Sequence, residues 1–179
     1  TGIDFDHEDL SSQLWINSEE DINGNGTFEP WASTEERNGV KGDFDFIDND
    51  GNGYSDDVIG YDFVDVSTRN LGDDQTPDPI PFDEQSHGTN MAGLVGAAHN
   101  NGVGVAGIAY GAKIMTIRAF DISGAGESDD IAAAIVYAVT NGAKVLNFSW
   151  GEQYYSPIIH DAVKFAYANN VTMVSSSGN

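Results

Sequence analysis

The chain has no cysteine in its 179 residues and only seven Lys and Arg against 29 Asp and Glu. Without cysteine there is neither a disulfide framework nor a thiolate metal site, and the compartment stays open because secreted bacterial proteins often lack cysteine too. The shortage of basic side chains leaves a formal charge of -22. Such a field repels nucleic acid and anionic membranes and attracts cations. No run of about 18 apolar residues exists to span a bilayer; the longest, residues 131–139, is far too short. The first residue is not methionine, so the sequence reads as a processed or excised piece with no signal peptide of its own.

What is present is enough for one domain with a core, since 40% of the residues are apolar. Charge is unevenly spread: 23 of the 29 acids fall in residues 1–86, with three of the seven basic residues. Residues 11–82 read as an acidic, loop-rich insertion of Asn, Gly and Asp, anchored by Trp15, Trp31, Tyr54, Tyr61 and Phe63. From His87 the pattern becomes regular. It predicts a helix over 87–98, a turn at 100–104, a strand over 112–118 and a Gly-rich loop at 123–126. Beyond these it predicts a helix over 129–141, a strand over 145–149, a helix over 156–169 and a strand over 172–175. Ile3 fits the tail of an earlier strand. Strands alternating with helices over short connections point to an α/β fold, a three-layer αβα arrangement around a parallel sheet.

Two segments carry oxygen side chains at alternate positions with Gly at the sixth, which is the first half of an EF-hand-like loop. In residues 48–56, Asp48, Asp50 and Asn52 turn towards one centre and Tyr54 offers its carbonyl; the twelfth position is Ile59, so Asp56 or Asp57 has to close the shell. Residues 21–29 repeat the pattern more weakly through Asp21, Asn23 and Asn25. Hard oxygens in this number suit a structural Ca²⁺, although Asp, Asn and Gly also favour ordinary turns.

Residues 86–96, SHGTNMAGLVG, place His87 at the mouth of a helix of small side chains. Each Gly costs such a helix about 1 kcal/mol relative to Ala, but small residues allow close approach to neighbours. A lone histidine is a core residue, a metal ligand or a general base. His7, His99 and His160 show no recognised metal spacing with it, and catalysis requires a nucleophile and an orienting acid that composition cannot supply.

Four motifs taken in order, TGIDFDHEDL at 1–10, HGTNMAG at 87–93, NNGVGVAGIA at 100–109 and SSSGN at 175–179, resemble those of the subtilisin-like serine proteases, the subtilases. The resemblance covers nearly the whole chain, and the loop ending Gly60, Tyr61, Asp62, Phe63 is similar to the calcium-loop insertion of some subtilase subgroups. It implies that His87 is the base that takes the proton of a catalytic serine, and that the Asn179 amide stabilises the oxyanion. Ser149, Trp150 and Gly151 match the segment that pairs with an extended substrate and borders the S1 pocket. Ser123, Gly124, Ala125 and Gly126 match the opposite edge of that cleft, and Ser175, Ser176, Ser177 and Gly178 its floor. Asp9 and Asn101 match the family's strong calcium site. Asn90 departs from the histidine common at that position, which is not a catalytic one.

The resemblance also implies what lies outside these residues. The family's catalytic aspartate immediately precedes the position of Thr1, Asp4 matches a different position, and the serine motif follows well beyond Asn179. The expectation is therefore a partial catalytic domain, inert by itself, of a secreted, calcium-stabilised endopeptidase that acts on polypeptides and is monomeric at full length. The alternative is a non-catalytic calcium-binding protein or pseudoprotease on the same scaffold.

Overall fold

The computed structural model describes residues 1–65, 76–109, 111–151 and 154–178. Their elements are β1 (Glu36–Arg37), β2 (Val40–Lys41), β3 (Gly60–Asp62), α1 (His87–Gly96), β4 (Thr116–Arg118), α2 (Ser128–Thr140), β5 (Val145–Phe148), α3 (Pro157–Ala168) and β6 (Thr172–Ser175). β3 pairs in parallel with β4, and β5 with β6, whereas β1 and β2 form an antiparallel hairpin. Parallel pairs joined through helices make this an α/β fold.

The helix that starts at His87 is two residues shorter than the pattern predicts. At Ala97 the backbone turns extended, with ψ of 147°. Tertiary bonds then replace helical ones: Ala98 N–H donates to the Asp9 carbonyl (2.9 Å) and the Ala97 carbonyl accepts from Gly107 (3.1 Å). The strand predicted over 112–118 likewise narrows to its last three residues. Ile114 instead bridges Leu14, exchanging bonds of 2.9 Å with Trp15 and Gln13. Ile3 forms a single parallel bridge with Phe82.

The reading of residues 11–82 as loop misses the short β1–β2 hairpin and β3. Val58 and Ile59, which lead into β3, are fully buried, so a short apolar run inside acidic sequence carries a strand. Close backbone approach makes it possible: Gly60 sits at φ 129°, and a Cβ there would lie 1.7 Å from the Thr116 carbonyl oxygen.

Helix α2 buries Ile131, Ala132, Ala134, Ile135, Tyr137 and Ala138, and α3 buries Ile159, Ala162 and Ala166. Helical spacing of apolar and small residues sets these faces together in the main core with Leu146 and Val171. Pro157 opens α3, where its missing N–H is not needed. An aromatic group formed by Tyr54, Tyr61, Phe63 and Tyr137, with ring centroids 4.8 to 6.5 Å apart, joins the acidic segment to α2. Among the described residues no helix is long and apolar enough to cross a membrane.

Replacing Gly60 by Ala forces a side chain into backbone and into an unfavourable φ. We expect a loss of stability on the order of 3 kcal/mol, read as a lower melting temperature. An unchanged melting temperature would contradict the β3–β4 contact.

Candidate active site

His87 is exposed at the first position of α1, directly after Ser86, whose φ of 72° is left-handed. The turn is held from below by the buried Asp83. One of its carboxylate oxygens accepts the N–H groups of Gln85 and Ser86 (both 3.0 Å). The other accepts the N–H of Thr89 (2.8 Å) and its hydroxyl (2.6 Å). Burial pushes the Asp83 pKa up, but the bonds from Thr89 and Gln85 outweigh it and hold the carboxyl below its ordinary range. The Thr89 hydroxyl oxygen in turn accepts from Asp4 N–H (2.9 Å).

The small residues after His87 have a specific use. A Cβ on Gly88 would lie 2.0 Å from the carbonyl oxygen of Gly2, and Gly88 N–H donates to Thr1 Oγ1 at 2.7 Å. Gly2 is equally constrained, with φ of 79° and its missing Cβ only 2.4 Å from the Pro81 oxygen. The start of the chain, the loop before α1 and the first turn of α1 therefore meet backbone to backbone.

The segments expected to flank the site lie beyond the carboxyl ends of β4, β5 and β6, the end of a parallel sheet where ligands bind. Asp121 shapes the first, accepting from Ser123 N–H (2.9 Å), Ser123 Oγ (2.6 Å) and Ala125 N–H (3.0 Å). Gly124 touches the His87 turn, since a Cβ on it would lie 2.6 Å from Gln85 Nε2. Gly126 lies against Phe120, whose ring is 5.6 Å from that of Trp150. The third segment joins the second: Ser176 N–H donates to the Phe148 carbonyl (3.0 Å) and Ser176 Oγ to the Trp150 carbonyl (3.1 Å). Ser149 Oγ accepts from Asn147 (2.9 Å). Gly151, Ser175, Ser177 and Gly178 are exposed, and Asn179 lies outside the described residues.

Sequence reasoning misses Arg118, which is 1% exposed. Its guanidinium bonds Asp62 and Glu84, each at 2.8 Å, tying β4 and β3 to the loop before His87. An arginine inside a predicted strand was the available signal, because a buried guanidinium requires acidic partners.

The candidate cation ligands fall into three places. Asp9 and Asn101 come together, with the Asn101 amide donating to Asp9 at 2.6 Å and Val105 N–H at 2.8 Å. These bonds keep the Asp9 carboxyl below its ordinary range. In the loop of residues 48–56, Asp48 accepts from Gly51, Asn52 and Gly53 N–H at 2.8 to 3.1 Å. Asp50 accepts from Asn52 N–H (2.9 Å), and Asn52 from Tyr54 N–H (2.8 Å). The loop of residues 21–29 repeats this arrangement through Asp21, Asn23 and Asn25, whose acceptors meet the N–H groups of Gly24, Gly26, Asn25 and Thr27 at 2.7 to 3.0 Å. The echo is closer in structure than in sequence.

A carboxylate from outside the first loop approaches it. Carboxylate oxygens of Glu20, Asp48 and Asp50 all lie within 4.8 Å of one another. Asp56 turns elsewhere, accepting from Asp45 (2.8 Å) and Phe46 (3.1 Å) N–H. Asp57 instead faces the loop, accepting from Asn17 (3.1 Å), Asn52 (2.9 Å) and the Tyr137 hydroxyl of α2 (2.5 Å). Glu20 is fully buried and accepts three N–H groups, from Asn49, Asp50 and Asp56. In the second loop Glu29 and the buried Asp43 take the corresponding places around Asn23. Among the described residues no Lys or Arg is ion-paired with Glu20, Asp48, Asp50 or Asp57.

Residues 1–179 match the model of the subtilase family, peptidase S8, and the chain belongs to that family. It is 38% identical over 122 residues to the "Thermophilic serine proteinase" of Bacillus sp. (strain AK1), covering 68% of this chain and 28% of that protein. It is 28% identical to "Subtilisin-like protease 1" of Plasmodium berghei (strain Anka) over all of this chain and 25% of that protein. Among solved structures it resembles "Sphericase", with a TM-score of 0.58 and 30% identity over 67% of this chain and 38% of that one. For "S41 Psychrophilic Protease" the TM-score is 0.55 and the identity 34%, with the same coverage. The chain thus spans about a quarter of the length of the first two relatives.

The buried carboxyls make stability depend on pH. Burial first, then neighbouring acids, pushes Asp57 up to about 6 and Asp43 and Asp130 up to about 7. Their folded pKa values exceed the unfolded ones, so the folded state holds more protons and stability falls as pH rises from about 4 to about 7. Without divalent cations, the melting temperature should be higher at pH 5 than at pH 7.5. The reverse order would contradict the burial of these groups.

Proposed function

We propose that this chain is the His87-bearing part of the catalytic domain of a secreted serine endopeptidase that hydrolyses polypeptides by a Ser-His-Asp mechanism. The observation that carries the reading is an exposed His87 on a hydrogen-bonded turn that Gly124 of the 123–126 segment touches, with Trp150 packed on Phe120 behind that segment. An imidazole in that position can accept the proton of an attacking serine hydroxyl and return it to the leaving amine. The bond between Gly88 N–H and Thr1 Oγ1 supports a triad in which the residue preceding Thr1 supplies the orienting acid. Segments beyond the carboxyl ends of three strands suit an extended peptide, whose main-chain hydrogen bonds ignore sequence and leave specificity to side-chain pockets. Asn179 is the proposed oxyanion donor, with Ser175, Ser176, Ser177 and Gly178 in the pocket floor.

Calcium is proposed as a structural ion. The hard oxygens of Glu20, Asp48 and Asp50, which have no Lys or Arg ion pair among the described residues, fit Ca²⁺, with Asn52 and the Tyr54 carbonyl completing the set. Asp21, Asn23, Asn25, Glu29 and Asp43 form a second candidate, and Asp9 with Asn101 a third. The ion offsets repulsion among carboxylates and fixes a long irregular segment against α2; it takes no part in peptide hydrolysis. The high negative charge supports a monomer without nucleic-acid or membrane partners.

The test is cleavage of an unstructured protein by the full-length product, with and without a serine-directed inhibitor and a calcium chelator. We expect inhibitor-sensitive cleavage that fades on chelation, and a fall in kcat of at least about 10⁴-fold in His87→Ala. Full activity in His87→Ala would overturn the assignment, and activity and melting temperature indifferent to chelation would remove calcium from it.

A further inference from the structure

We infer that Asp83 and Thr89 are positioning residues for His87, an inference that rests on the role of His87 as the base. Asp83 is 6% exposed and spends both oxygens on one feature, the turn that delivers His87. Its four donors are Gln85 N–H, Ser86 N–H, Thr89 N–H and Thr89 Oγ1, at 2.6 to 3.0 Å. Two of them precede His87 and two follow it, so one carboxylate spans the residue from both sides. The left-handed φ of Ser86 is strained for a residue with a side chain, and bonds on both sides of His87 are what hold such a turn in place. The ionised carboxylate at the amino end of α1 is also favoured by the helix dipole.

Thr89 extends the hold in a second direction. Its hydroxyl gives its proton to Asp83 and accepts from Asp4 N–H at 2.9 Å, so the turn is fixed to the segment after Thr1 and Gly2. The Gly2–Gly88 backbone contact sets how close the two segments come; the Asp83–Thr89–Asp4 relay sets their rotation. His87 makes none of these bonds through its imidazole, which stays available to substrate. Asp83 and Thr89 therefore act on the reaction only through the direction in which His87 points.

An amide cannot replace the carboxylate. Asn at 83 keeps one oxygen for two donors and turns an NH₂ group on the other two. The experiment uses the full-length protein in calcium, with Asp83→Asn, Thr89→Val and Thr89→Ser measured for kcat, KM and melting temperature, beside His87→Ala. Since misplacement of a catalytic group by about 1 Å costs on the order of 100-fold, we expect kcat to fall about 10-fold to 100-fold in Asp83→Asn and Thr89→Val. KM should stay within about twofold, because neither side chain is proposed to contact substrate. Ser at 89 keeps the hydroxyl and should restore most of kcat. Folded Asp83→Asn and Thr89→Val proteins with unchanged kcat would overturn the inference, as would Ser at 89 performing no better than Val. If Asp83→Asn does not fold, the Val and Ser pair at 89 decides. Retained activity in His87→Ala would instead bring down the reading of the site itself, and this inference with it.

Discussion

Burial of carboxylates without matching cations is the constraint on which the rest of this structure depends. Among the described residues nine acids are buried, namely Asp9, Glu20, Asp43, Asp56, Asp57, Asp62, Asp83, Asp121 and Asp130, against one basic residue, Arg118. A buried charge is tolerated only when it is paired or hydrogen-bonded. Here many of the partners are backbone N–H groups of turns, so several of the buried acids gather a loop around themselves. Asp83 does this for the His87 turn, Asp121 for residues 123–126 and Asp56 for residues 45–46. The acidity of the first half of the chain is thus an internal scaffold as much as a surface property.

Two sets of acids show how differently this succeeds. Asp9, Asp48 and Asp83 receive enough donors to stay below the ordinary carboxylate range. Glu20, Asp43 and Asp57 are pushed above it by burial first and then by neighbouring acids, Asp50 beside Glu20 and Asp57, and Glu29 and Asp21 beside Asp43. The second group surrounds the two repeated loops and contacts α2 through Tyr137. That contact links the irregular segment mechanically to the helix that follows the loop at 123–126. A cation in the first loop would therefore steady both the insertion and its seat on the regular part of the domain.

Much of this was legible in the sequence, for identifiable reasons. Helices α2 and α3 follow from apolar residues at helical spacing, and β5 and β6 from short apolar runs between turns. The two loops follow from alternate oxygen side chains and a Gly in the sixth place. What local pattern could not reveal are contacts between distant residues. Gly60 looks like a turn glycine and is instead a strand residue pressed on Thr116. Glu20 lies outside the motif whose Asp48 and Asp50 it approaches, and Arg118 gives no hint of whether Asp62, Glu84 or another acid will pair with it. Asp83 looks like one more acid in an acidic stretch until its four donors are seen together. The family resemblance implies the role proposed for His87; the structure adds how the backbone holds it.

Crystals of the full-length protein grown with a lanthanide in place of calcium test the proposal that the acidic loops hold cations. We predict anomalous density among the Glu20, Asp48 and Asp50 carboxylates, with Asp56 still turned towards residues 45 and 46. A lanthanide bound only at the surface, with those three carboxylates still held by N–H donors alone, would contradict it.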